Sequence, residues 1–154
     1  MAAAIDAAIA IRTARDDDAA ALADLSTQLG YPIDATAMRE RLARVHATKV
    51  GEVFVACAAD GRVVGWTHAV PRLQLEEVPF AELAGLVVDE SVRSAGVGAR
   101  LLAAAEEWAR SQGFGVMRVR SNVLRERAHG FYEREGYTRV KSQAVFCKPL
   151  TKSG

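Results

Sequence analysis

The sequence is poor in the features that staple, coordinate or anchor a chain. It has two cysteines, Cys57 and Cys147, in 154 residues. Each lies in an apolar, strand-like run, so both read as buried free thiols of a reducing compartment rather than as a disulfide framework. Three histidines, His46, His68 and His129, are scattered without Cys-x-x-Cys or His-x-x-x-His spacing, which argues against any metal site of the zinc type. No apolar run approaches the roughly 20 residues that a membrane-spanning helix needs, and stretches such as Leu86-Val87-Val88 fall far short. The opening Met1-Ala2-Ala3-Ala4-Ile5-Asp6 has no basic region and carries an early acid, the wrong pattern for a secretory signal, so a cytoplasmic location is expected. Nor does one sign of charge dominate. Twenty Lys plus Arg against 19 Asp plus Glu leave +1, without the concentrated basic field that recruits nucleic acid or a membrane surface.

What is present is a globular balance, half hydrophobic and a quarter charged. A chain of this length buries roughly 68–70% of its unfolded surface around one core. No repeat or linker divides it, which predicts a single domain over residues 9–150 behind an Ala-rich lead-in, residues 1–8, expected to be disordered. Ile9, Ile11 and Thr13 alternate as a first strand. Asp16, Asp17 and Asp18 offer N-cap oxygens to a helix running to about Leu29, where Gly30-Tyr31-Pro32 stops it. A second helix starts near Asp34, with Met38, Leu42 and Val45 at helical spacing. Val53, Val55 and Cys57, the turn Asp60-Gly61, and Val63, Gly65 and Thr67 predict a hairpin ending near Pro71. After an irregular segment, residues 82–88 form a long strand. Leu101, Leu102, Ala105, Trp108 and Ala109 share one face of a helix that closes at Gln112-Gly113. Residues 116–121 read as a strand, 124–135 as a helix and 137–148 as a last strand. The order βααβββαβαβ describes an α/β domain, a mixed central sheet flanked by helices.

The most informative stretch runs from Val88 to Ala99, where a buried strand enters a helix through a turn holding Gly96 and Gly98. Glycines permit close backbone approach, and a helix N-terminus leaves N–H groups unpaired and carries about half a positive charge. The turn is therefore an anion cradle fit for a pyrophosphate, with Arg93 placed to add charge; the alternative is a glycine-bearing turn without a ligand. Two other phosphate loops are absent. There is no G-x-x-x-x-G-K-S/T, and G-x-G-x-x-G fails because Leu101 stands at its third glycine.

Arg93-x-x-Gly96-x-Gly98 after Leu86-Val87-Val88, with Leu101-Leu102 behind it, resembles the acyl-coenzyme A signature of the GNAT superfamily of N-acetyltransferases. A second match, Ala128-His129-Gly130-Phe131-Tyr132-Glu133-Arg134-Glu135-Gly136-Tyr137, is similar to that family's helix ending in a tyrosine and a Gly-aromatic pair. The resemblance implies a GNAT-like fold whose fourth and fifth strands, here 82–88 and 116–121, splay apart to admit acetyl-CoA as co-substrate. It implies coenzyme contacts from Leu86, Val87, Val88, Arg93, Ser94, Ala95, Gly96, Val97, Gly98, Ala99, Asn122, His129 and Tyr132. Carried over by position, the Val88 N–H polarises the thioester carbonyl, a role worth about 2.7–4 kcal/mol per donor in enzymes generally. Tyr132 is the candidate general acid toward the departing thiolate, since a phenol and a thiol have comparable proton affinities. Glu82, near the start of the same strand, is the candidate base for an acceptor ammonium. Glu76 and Glu77 add negative charge just before it, either for a cationic acceptor or as a solvated charge run.

The sequence departs from the pattern at one point: Arg125 stands seven residues before Tyr132, where many members place an asparagine, and the nearest asparagine is Asn122. Neither cysteine is placed as a nucleophile, which implies direct attack in a ternary complex on a small-molecule primary amine. A protein N-terminus or lysine is a second class of acceptor, and a homodimer is an arrangement common in the family. Two rivals are a non-catalytic acyl-CoA sensor and an NADP-dependent oxidoreductase with Arg120 near a 2′-phosphate. The second conflicts with the hairpin before the glycine turn, which is not a βαβ unit.

Overall fold

Alternation of apolar and polar residues builds the sheet, and helices of one-sided apolarity cover it. A computed structural model describes residues 8–93, 95–121 and 125–151, so the expected lead-in lies, Ala8 apart, outside the described residues. Residues up to Arg120 form one compact unit and those from Ser121 a second.

In the first unit, β1 (Ala10–Thr13), β2 (Glu52–Cys57), β3 (Val63–Arg72), β4 (Phe80–Val88) and β5 (Met117–Val119) lie in sequence order across one five-stranded sheet. The first three junctions are antiparallel and β4–β5 is parallel, the mixed sheet expected. Three helices flank it: α1 (Ala19–Gln28), α2 (Ala35–Thr48) and α3 (Val97–Ser111). Asp34 starts α2 by accepting the Ala37 N–H at 2.7 Å.

Side chains of a strand alternate between faces, so the two buried clusters lie on opposite sides of β2. Val53 and Val55 pack with Leu22 of α1 and Leu42 of α2. Ala56 packs with Val97 and Leu101 of α3. Leu22, Val55, Val97, Leu101 and Leu102 are all 2% exposed or less, whereas Met38 and Val45 of α2 are only half-buried.

Three expectations are corrected. The predicted last strand, residues 137–148, pairs with nothing among the described residues, and the observed order ends at α4 (Glu126–Arg134) in the second unit. A strand exists only through a ladder partner, which local alternation cannot supply; Val140, Val145 and Phe146 stand 77%, 84% and 93% exposed. Cys147, in the same segment, is exposed for that reason, whereas Cys57 is buried as expected. Finally, Asp16–Asp18 form a 3-10 turn before α1, and Asp18 does not cap the helix.

Asp18 instead binds backwards to β1. Its two oxygens accept from Arg12 Nη1 at 2.8 Å and Nη2 at 2.9 Å, and from the Arg15 N–H at 2.7 Å. The Arg12 hydrogen bonds, more than burial opposes them, hold the Asp18 carboxyl below the usual carboxylate range, and the same pair raises Arg12. A carboxyl whose folded pKa is depressed stabilises the fold above its unfolded value, near 4, and loses that contribution as pH falls through the folded value. Asp18→Asn should therefore cost about 2 kcal/mol in urea unfolding at pH 7. The gap between variant and wild type should close as both are taken below pH 3 or so.

Candidate active site

The backbone of β4 sets the geometry of the site. The Asp89 N–H donates to the Val64 carbonyl at 2.8 Å, which makes that pair a hydrogen-bonded one. Antiparallel ladders alternate hydrogen-bonded and non-hydrogen-bonded pairs. The next pairs are Gly65 with Val88, Trp66 with Val87 and Thr67 with Leu86. By alternation, Val88 and Leu86 turn their N–H and C=O groups away from β3, toward the far edge of β4. On that edge the ladder to β5 covers only Ala81, Leu83 and Glu82 between them, so among the described residues Leu86 and Val88 have no strand opposite.

A bulge separates the two halves of β4. His68 pairs with Gly85 and Ala69 with Leu83, leaving Ala84 as the extra residue, and Ala84 is exposed between buried Leu83 and half-buried Gly85. Gly85 sits where a side chain has no room: an added Cβ would lie 2.9 Å from two atoms of the Trp66 ring. Thr67, fully buried, donates its hydroxyl to the Gly85 carbonyl at 2.7 Å and fixes the bulge from the other strand.

From Val88 the chain passes through a 3-10 turn (Glu90–Val92) and Arg93 to Gly96, the N-cap of α3. Gly96 has φ 82°, the left-handed region that favours glycine. The first bond back into the helix runs from the Arg100 N–H to the Gly96 carbonyl at 3.1 Å, which leaves the N–H groups of Val97, Gly98 and Ala99 without an intrahelical acceptor. No side chain caps this end. The chain thus enters α3 through a left-handed glycine, with Ala95 and Val97 buried beneath the turn. Ser94 and Asn122, both expected coenzyme contacts, lie outside the described residues.

Glu82 is no solvated strand-end carboxylate. It is 9% exposed, and its Oε1 lies 2.9 Å from Arg120 Nε. Val70 stands opposite Glu82 and Arg72 opposite Phe80, so Trp66, His68, Val70 and Arg72 share a face of the sheet with both. This is the face that α1 and α2 cover. On β5, Arg118 lies level with Glu82, stacks its guanidinium 4.2 Å above the Phe80 ring and pairs with Glu77 at 2.9 Å. Glu77 is thus drawn into an ion pair rather than presented to solvent as a charge run. Sequence reading missed Trp66, His68, Arg72 and the Arg120–Glu82 pair. Period two from Trp66 to Arg72 was the available signal.

In the second unit α4 carries His129 and Tyr132. The Tyr132 ring meets Phe131 and Tyr137 edge-on, with centroids 5.1 and 5.9 Å apart. Burial pushes the phenol up from its ordinary pKa, and the Arg125 charge opposes that shift only in part. His129 Nδ1 lies 3.2 Å from Arg139 Nη2.

Comparison with known proteins fits this geometry. Residues 18–137 match the sequence profile of the Acetyltransferase (GNAT) family. The chain is 35% identical over 153 residues to "Aminoglycoside N(6')-acetyltransferase type 1" of Stenotrophomonas maltophilia, covering 97% of this chain and 99% of that protein. Among solved structures it superposes on the aminoglycoside antibiotic 6'-N-acetyltransferase AAC(6')-Ih of Acinetobacter baumannii with a TM-score of 0.81 at 15% identity, over 93% of this chain and 99% of that one. AAC(6')-Iy, solved with the bisubstrate analogue CoA-S-monomethyl-acetylneamine, gives 0.82 at 20% identity over 92% and 99%. At those identities the two structures speak for the fold alone.

The packing of Trp66 on Gly85 is directly testable. Gly85→Ala should lower stability by about 1–3 kcal/mol, because the ring must leave the strand it covers. Combining it with Trp66→Leu should recover most of that loss in a double-mutant cycle of thermal melts.

Proposed function

The chain belongs to the GNAT acetyltransferase family and is an acetyl-CoA-dependent N-acetyltransferase, and from that premise we propose how its residues divide the work. The whole of residues 9–150 acts as one transferase domain. It moves an acetyl group to the primary amine of a small molecule by direct attack in a ternary complex. Acetyl-CoA supplies the activated acyl group as a thioester. The amine nitrogen forms the new C–N bond as the C–S bond breaks, and no enzyme nucleophile intervenes.

One observation carries this reading: the edge-facing backbone of Leu86 and Val88 runs straight into the glycine-capped start of α3. Free strand N–H and C=O groups suit the amides of pantetheine, and the free first-turn N–H groups suit a diphosphate. In this reading β4 and β5 part beyond Leu83, and the coenzyme takes the edge that β5 leaves open. The N–H of Val88 polarises the thioester carbonyl. Arg93 and residues 95–99 hold the diphosphate, with Val87 buried behind the strand and His129 lining the coenzyme. Glu82, oriented by Arg120, takes the ammonium proton directly or through one water. Tyr132 gives its proton to the departing sulfur, and its raised pKa keeps that proton in place through neutral pH. The aminoglycoside 6′-amine, named for the full-length relative, is the first acceptor to assay.

Purified protein given acetyl-CoA and an amine panel should release free thiol only when an amine is present, and calorimetry should detect CoA but not NADP. Failure to bind CoA would overturn the assignment of the α3 turn. Tyr132→Phe should lower kcat by roughly 100-fold with little change in the KM for acetyl-CoA. The wild-type kcat profile should keep its plateau until pH rises past 10, where the phenol begins to ionise. A variant with unchanged kcat at every pH would remove Tyr132 from the mechanism.

A further inference from the structure

Three buried nitrogen atoms of β3, Trp66 Nε1, His68 Nε2 and Arg72 Nε, have no hydrogen-bond partner among the described residues. They stand at alternate positions of one strand, hence in one row on the face that carries Glu82. Folded proteins leave few buried polar atoms unsatisfied, and three in line beside a candidate base mark a place where a ligand brings the partners. The row favours acceptor atoms in that ligand. An indole N–H and a guanidinium only donate, and a neutral imidazole donates from Nε2 in one of its two tautomers. Burial lowers the pKa of His68 and so keeps it neutral.

Charge on this face points the same way. The carboxylates bonded to arginines of this face, Glu77, Glu82 and Asp18, are already engaged by Arg118, Arg120 and Arg12. Glu52 lies opposite Ala69, on the α3 side. Arg72 has no carboxylate within ion-pair distance among the described residues. A polycationic acceptor would find no spare anion here, whereas an anionic group would find an uncompensated guanidinium.

Building on the acetyl-transfer reading above, we propose that Trp66, His68 and Arg72 anchor the acceptor, and that this acceptor is an amine bearing an oxyanion, a carboxylate or a phosphonate. Its oxyanion takes the donors of this row between His68 and Arg72, and its amine lies toward Glu82, which stands opposite Val70 on the same face. Four residues of strand separate His68 from Arg72, about 13 Å between Cα atoms, and the long arginine side chain shortens that gap.

The test compares 2-aminoethylphosphonate and β-alanine with the amino alcohols ethanolamine and 3-aminopropanol and with the polycation kanamycin, all against acetyl-CoA. Wild-type kcat/KM should favour the oxyanion amines by roughly tenfold or more. Arg72→Met, which keeps the apolar stem, should raise their KM to the level of the amino alcohols. Trp66→Phe, which removes the N–H and keeps an aromatic ring, should shift KM the same way. Equal or better use of amino alcohols or kanamycin by the wild type overturns the proposal, as does a preference retained by both variants. Calorimetry with CoA-loaded protein separates this inference from the reading beneath it. Binding of 2-aminoethylphosphonate that Arg72→Met abolishes, without turnover of any amine, upholds the anchor and sinks the transfer mechanism. Turnover of kanamycin without use of the oxyanion amines does the reverse, and absence of both binding and turnover rejects the anchor.

Discussion

Hydrogen-bond alternation along β4 is the constraint on which the rest of the site depends. A strand has two edges, and β4 commits one of them to β3 over its whole length while β5 occupies the other only as far as Leu83. Past the bulge at Ala84, the outward groups of Leu86 and Val88 therefore face no strand among the described residues. The same strand then delivers the chain to Gly96, whose left-handed backbone opens α3 with its first N–H groups lacking an intrahelical acceptor. A continuous strip of backbone donors results, and backbone donors need no particular side chain to persist.

The face of the sheet beneath α1 and α2 follows a different logic. There the polar groups are side chains, and burial forces each to be matched or left wanting. Glu82 and Glu77 are matched by Arg120 and Arg118, the latter also stacked on Phe80. Trp66 covers Gly85, so the strand is screened from that side by an aromatic wall. Trp66 Nε1, His68 Nε2 and Arg72 Nε are buried on this face without a hydrogen-bond partner among the described residues.

Much of the fold could be read from local pattern. Asp34 before an apolar period gave the start of α2, Asp60-Gly61 between two alternating runs gave the hairpin, and Gln112-Gly113 the end of α3. The glycine turn was legible because a left-handed N-cap leaves few residues but glycine. Where a partner is distant, local pattern misled. Asp16–Asp18 looked like caps, yet the oxygens of Asp18 go to Arg12, six residues back on β1. Residues 137–148 alternate as a strand should but pair with no strand among the described residues. On β3 the alternation of Val63, Gly65 and Thr67 sets the hairpin register and draws attention away from the opposite row, Trp66, His68 and Arg72.

By itself the sequence determined the periodicities, the turn and cap residues, and the two motifs that tie the chain to its family, because each of those is written within a few consecutive residues. Only the tertiary structure decided that, among the described residues, β5 pairs with three residues of β4, Glu82 is buried against Arg120, and three nitrogens of β3 stand without a partner on one face. Those facts depend on which edges and side chains meet across long stretches of chain. Register and burial, unlike propensity, are properties of pairs rather than of segments.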